Sequence, residues 1–140
     1  MQASEKMKGE LLMEVHDKSV TTTVRDISES GIKLEQNSTS EVKGKVNAMG
    51  MSTVSYTLKT DGSSEWQLKG VFNTMEGDFV AVWGGGTGKA TGPTTATWSG
   101  EVHFMSASPK LSWLNSVKGW VEGSGDQANG EAWGKVYQMK

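Results

Sequence analysis

Apolar and polar residues alternate with a period of two along most of this chain, which is the pattern of half-buried β-strands. Over residues 8–16, Leu11, Met13 and Val15 share one face and Glu10, Glu14 and His16 the other, with Leu12 breaking the alternation. Asp17 and Lys18 read as a tight turn, and the β-branched residues of 19–27 then predict a second strand. The segment ISESG, ending at Gly31, predicts another turn. A third strand begins with Ile32, Leu34 and Gln36 and runs unevenly to Val46. The polar stretch 36–41 inside it reads as either a bulge or a loop.

The middle of the chain has the clearest pattern, a β-meander. Residues 51–60 put Val54, Tyr56 and Leu58 on one face, and Thr60-Asp61-Gly62-Ser63 is a hairpin signal because Asp-Gly supplies the positive φ angles of a tight turn. The returning strand, 65–73, directs Trp66, Leu68, Gly70 and Phe72 inward while Glu65, Gln67 and Lys69 point out. Thr74-Met75-Glu76-Gly77 turns the chain into a strand at 78–83. The glycine-rich run that follows reads as a connection between strands, with Thr87 and Lys89 solvated at one rim. Residues 95–105 form the next strand, SPKLSWLN a turn or short helical segment whose Pro109 halts the ladder, and 117–123 with 132–138 a final hairpin.

Some eight strands at regular spacing predict an all-β, single-domain antiparallel barrel in meander order over residues 1–140, with 1–7 as a flexible N-terminal tail. A barrel is favoured over a sandwich because Gly70, Gly100, Gly119 and Gly134 suit the bends that closure demands. A length of 140 residues fits one core. With 14 basic against 16 acidic residues and Arg25 as the single arginine, the chain has no broad positive field, so a nucleic-acid partner is not expected. It has no cysteine, which removes thiol chemistry and disulfide scaffolds. No apolar run approaches the roughly 20 residues that span a bilayer, so no membrane partner and a cytoplasmic location are expected.

The glycine run fails as a phosphate loop. Counting back from Gly88-Lys89 finds Trp83 where a Walker A loop needs glycine, and Ala90 follows where it needs Ser or Thr. His16 and His103 are the only histidines, so neither a metal site nor a cofactor is expected. Glu101 and His103 lie two apart on one strand and project to the same side. With Glu122 they are the candidate acid–base residues; the alternative is a solvent-facing row with Trp98, Val102 and Phe104 buried opposite. No G-x-S-x-G elbow supports a serine nucleophile.

Six tryptophans in so short a chain call for rings to be buried and indole N–H groups to be satisfied. Trp66, Trp83, Trp98 and Trp113, with Tyr56, are the candidate ligand contacts. Trp120 shares its face with Glu122, and Trp133 with Glu131 and Lys135. Either these rings point outward, making an apolar surface for another subunit to cover, or they and the carboxylates line a cavity.

The succession GGGTGKATG, TWSGEVHF and SPKLSWLN, followed by a final hairpin, resembles small bacterial proteins of unknown function with an allene-oxide-cyclase-like barrel, over about residues 40–138. The resemblance implies a calycin-like barrel of eight antiparallel strands. Some members of that wider group are cofactor-free cyclases or isomerases of hydrophobic substrates, and allene oxide cyclases assemble as trimers. No motif here carries their catalytic residues across. Three functions follow as expectations: a barrel binding a small hydrophobic ligand, a cofactor-independent isomerase or cyclase in the same cavity, and a homo-oligomeric interaction module.

Overall fold

The structure is a computed structural model that describes residues 7–140. Eight antiparallel strands close on themselves, each pairing with its neighbours in the chain and the last with the first. They are β1 (Lys8–Ser28), β2 (Gly31–Gly44), β3 (Ala48–Leu58), β4 (Ser63–Thr74), β5 (Phe79–Ala90), β6 (Thr95–Met105), β7 (Lys118–Asp126) and β8 (Glu131–Met139). A 3-10 helix, Pro109–Ser116, joins β6 to β7. The expected meander barrel is what the chain forms.

Three local expectations are corrected. Residues 8–16 and 19–27 are one strand, with no turn at Asp17-Lys18. Asp17 pairs with Ser40 on β2 and Ala132 on β8, so the ladder on both sides carries the chain straight through two polar residues. The extra length is taken up by irregularities in register between Ser19 and Thr21 and between Val24 and Asp26. Residues 36–41 are uninterrupted strand, in register with β3, and Ser38 and Ser40 are buried. The glycine-rich run is no loop either: Gly86 lies between Trp66 on β4 and Gly100 on β6, and Lys89 is still paired with Ser63 and Thr97. Glycine weakens a strand that stands alone. Here two flanking strands supply the hydrogen bonds, and the missing side chains let β6 approach closely: a Cβ on Gly84 or Gly86 would collide with the carbonyl oxygen of Glu101 or Ser99. Of the expected tail, Met7 accepts a backbone hydrogen bond from Lys140 at 3.1 Å, and the rest lies outside the described residues.

Strand alternation divides the wall cleanly. The inward residues towards one end, here called the base, are Met13, Val42, Ala48, Phe72, Val80, Val82, Val102, Phe104, Val121 and Val136, all buried. Val46 from the β2–β3 turn and Leu114 from the 3-10 helix close that end, and Leu114 is 0% exposed. Burying such a leucine contributes about 1.5–3 kcal/mol. At the opposite end, the mouth, the inward side chains of Asp17, Gln36, Val54, Tyr56, Leu68 and Trp98 all keep partial exposure. The lumen is therefore packed at the base and open at the mouth.

Candidate functional site

The open half of the lumen is built by two tryptophans lying against a thinned wall. Trp66 on β4 donates its indole N–H to the carbonyl of Thr87 on β5 at 3.1 Å, which lays the ring across the neighbouring strands. A Cβ on Gly100 of β6 would stand 2.8 Å from Trp66 Cζ2. Trp98 leans the same way: a Cβ on Gly134 of β8 would lie 2.7 Å from its Cη2, and one on Gly123 of β7 would collide with the same ring. The two indoles meet edge to face, with centroids 6.0 Å apart. Packed over these glycines, Trp66 is buried at 9% exposure and Trp98 stays half-buried. Among the described residues the Trp98 indole N–H has no protein acceptor.

Polar groups gather on β1, β2 and β3. The Ser40 hydroxyl donates to Asp17 Oδ1 at 2.5 Å and lies 3.4 Å from the Ser52 hydroxyl. Gln36 donates to the Ser38 hydroxyl at 3.5 Å. Burial pushes the Asp17 carboxyl above the ordinary carboxylate range, against the smaller opposing effects of the Ser40 hydrogen bond and nearby His16. At the mouth, Tyr56 donates to Gln36 Oε1 and accepts from Gln127 Nε2, both at 3.4 Å. Gln127 sits in the β7–β8 turn, so this contact reaches across the mouth to β3. Bonds this long are weak, and the turn can yield to an incoming molecule. Burial also raises the Tyr56 phenol above its usual range, with the Gln127 hydrogen bond opposing.

The sequence-derived candidates separate into two groups. Tyr56, Trp66 and Trp98 come together inside the lumen. Trp83 is on the outer wall, 44% exposed, with its ring stacked 5.7 Å from His103; Trp113 is exposed on the 3-10 helix. Glu101, His103 and Glu122 also project from the outer wall, because Gly100, Val102 and Phe104 take the inward positions of β6 and Val121 that of β7. Glu122 is pinned there by the Trp120 indole N–H at 2.9 Å and by Lys8 Nζ at 2.7 Å. Trp133 points outward too and stacks on His16 at 3.7 Å, with His16 Nε2 2.7 Å from Glu131 Oε1. Among the described residues no group of three or more His, Asp or Glu side chains is placed to hold a metal ion.

Asp17, Ser38, Ser40 and Ser52 were absent from the sequence-derived set. Carrying the alternation of Met13 and Val15 one step further would have put Asp17 on the inward face. Two grooves on the outer wall, of about 630 and 640 Å³, are alternative sites. The first runs over His16, Trp133, Glu41, Lys43 and Lys135, and the second over Val20, Met51, Lys69 and Val71. Neither combines an enclosing aromatic wall with a buried, singly bonded carboxylate, so the lumen is the better candidate.

No family model matches the sequence, and no curated protein matches it. Solved structures do. A protein of unknown function from Clostridium acetobutylicum superposes with a TM-score of 0.82 at 13% identity, covering 94% of this chain and 98% of that one. A conserved protein of unknown function from Rhodopseudomonas palustris gives 0.78 at 15% identity, over 94% and 96%. An enzyme from Penicillium herquei gives 0.75 at 21% identity, over 96% of each chain. At these identities the likeness establishes a shared eight-stranded barrel. The bacterial part of the expected resemblance is matched; none of these three is described as an allene oxide cyclase.

Proposed function

We propose that this protein binds a small, mainly apolar molecule in the open half of its barrel. The observation that carries this reading is the partial exposure of inward Val54, Leu68 and Trp98 above a sealed base. An eight-stranded barrel is of the size at which the interior can hold one small ligand. Titrating 1-methylnaphthalene while following tryptophan fluorescence tests it. Saturable quenching, weakened in Trp98→Ala, is expected. An unchanged spectrum, or quenching that Trp98→Ala leaves intact while Trp83→Ala removes it, contradicts the reading.

A second reading, a cofactor-independent isomerase or cyclase, draws support from the likeness in fold to the enzyme from Penicillium herquei. It also draws support from Asp17, a carboxyl whose buried setting suits proton transfer. Conversion of cyclohex-3-enone to its conjugated isomer, lost in Asp17→Asn, supports it. A ketone that binds and is returned unchanged counts against it.

Self-association is the third reading. Residues 20–28 of β1 extend past the last β8 pairing and, among the described residues, keep one unpaired edge, on which Val24 and Ile27 are 59% and 71% exposed. Two identical edges can pair antiparallel about a two-fold axis, which makes a second copy of this chain their natural cover. Light scattering is expected to report a dimer or larger that Val24→Pro dissociates; a strict monomer at high concentration removes the reading.

A further inference from the structure

The charge inside the lumen narrows the class of ligand, an inference that rests on the binding reading above. Alternation puts Lys69, Lys89, Glu101, Lys118, Glu122, Glu131 and Lys135 outside, and among the described residues Asp17 is the charged side chain that faces inward. Its Oδ1 is bonded by Ser40, while Oδ2 has no protein donor among the described residues and is not sealed from solvent.

Trp98 borders the same patch of wall. Its ring lies over Gly134, which pairs with Val15, and the next inward residue of β8, Ala132, pairs with Asp17. An aromatic face and one free carboxylate oxygen are thus neighbours inside a cup that no cationic side chain enters among the described residues.

We propose that the lumen takes an amine: a small aromatic or aliphatic body against Trp66, Trp98 and Leu68, with its ammonium group donating to Asp17 Oδ2. An ammonium brought beside Asp17 holds the carboxyl in its ionised form and offsets the desolvation that otherwise favours the neutral acid. Its charge also suits the faces of the two indoles. A carboxylate of the same shape would bring a second negative charge against Asp17 with no basic side chain to receive it.

Three ligands sharing one naphthyl body separate the head group from the body: 1-naphthylmethylamine, 1-methylnaphthalene and 1-naphthoate. The amine is expected to bind at least about tenfold more tightly than the hydrocarbon, the factor given by a charge-assisted hydrogen bond removed from water. Naphthoate is expected to bind weakest. In Asp17→Asn the advantage of the amine collapses while the affinity for 1-methylnaphthalene is kept, and that retained binding shows the variant is folded. Asp17→Ser, a smaller replacement, is expected to do the same. If the hydrocarbon binds and the amine does no better, or if the amine keeps its advantage in both variants, the inference is wrong and the binding site stands. If none of the three binds, the site itself is refuted and the inference falls with it.

Discussion

Towards the base the strands aim Phe72, Val80, Val102, Phe104 and Val136 at one another, and Leu114 seals the end. Towards the mouth the same strands aim Asp17, Ser38, Ser40, Ser52 and Tyr56 from one side and indoles lying over Gly100, Gly123 and Gly134 from the other. Both halves obey one alternation and one register. They differ in side-chain volume and polarity at inward positions: the base spends its volume on contact between side chains, and the mouth lays its two largest residues on the wall. The base supplies close-packed burial that fixes the closed fold. That leaves the mouth free to hold a carboxyl, three serine hydroxyls and a phenol that a packed core would exclude.

The largest effect expected from this division is on stability. Leu114→Ala should cost about 3 kcal/mol, because a fully buried leucine leaves a cavity its neighbours fill only in part. Leu68→Ala, in the partly exposed half, should cost about 1 kcal/mol. Urea denaturation of the two variants checks the pair. Equal losses would mean that the mouth is packed like the base.

Next in size is Gly134→Val. Its Cβ would stand 2.7 Å from Trp98 Cη2 and must push the ring towards the lumen. The expected outcome is a loss of about 1–3 kcal/mol from overpacking, together with at least tenfold weaker binding of 1-methylnaphthalene. A variant that keeps full affinity would show that the ring does not bound the ligand site.

Asp17 provides a smaller effect with a definite sign. Burial raises its pKa, so the folded protein holds this proton more tightly than the unfolded chain. That contribution is fully present below the unfolded carboxyl value of about 3.9 and is lost as pH rises through the raised folded value. Wild type should therefore lose stability relative to Asp17→Asn as pH climbs from about 4. Denaturation midpoints of the two proteins at stepped pH give the comparison. A wild type that instead gains on the variant would place Asp17 among stabilising charges rather than in an apolar lumen.

On the outer wall the effects should be smallest. Glu101→Gln and His103→Ala should each shift stability by less than about 0.5 kcal/mol, and neither should alter binding of 1-methylnaphthalene, since both side chains point away from the lumen. A loss of binding in either variant would move the site to the outside of the barrel.

What was legible in the sequence follows from how local each signal is. The hairpin at Asp61-Gly62 and the inward row Trp66, Leu68, Gly70 and Phe72 are written in adjacent residues, and the structure has them as read, with Gly62 at φ +86°. Asp17 and the glycine run depend on partners far along the chain. A polar pair following a strand reads as a turn unless one knows that β2 and β8 flank it. A run of glycines reads as a loop unless one knows that β4 and β6 hold it. Which face of β6 lines the lumen is not legible in the sequence for a related reason: Trp98 and Phe104 on one side and Glu101 and His103 on the other each fit a lining until closure decides between them. The same argument separates Trp66 from Trp83. Both sit in strands with aromatic and polar neighbours, and the parity of the ladder, not composition, puts one inside and the other out.

The central claim is that the open half of the lumen, bounded by Trp66 and Trp98, is where a ligand sits. The most direct measurement is an NMR titration with 1-methylnaphthalene that follows all six indole N–H resonances, assigned by single tryptophan substitutions. The account predicts that the Trp66 and Trp98 resonances shift and saturate together while those of Trp83, Trp113, Trp120 and Trp133 stay in place. Shifts confined to the outer-wall tryptophans, or the same small drift in all six, would contradict it.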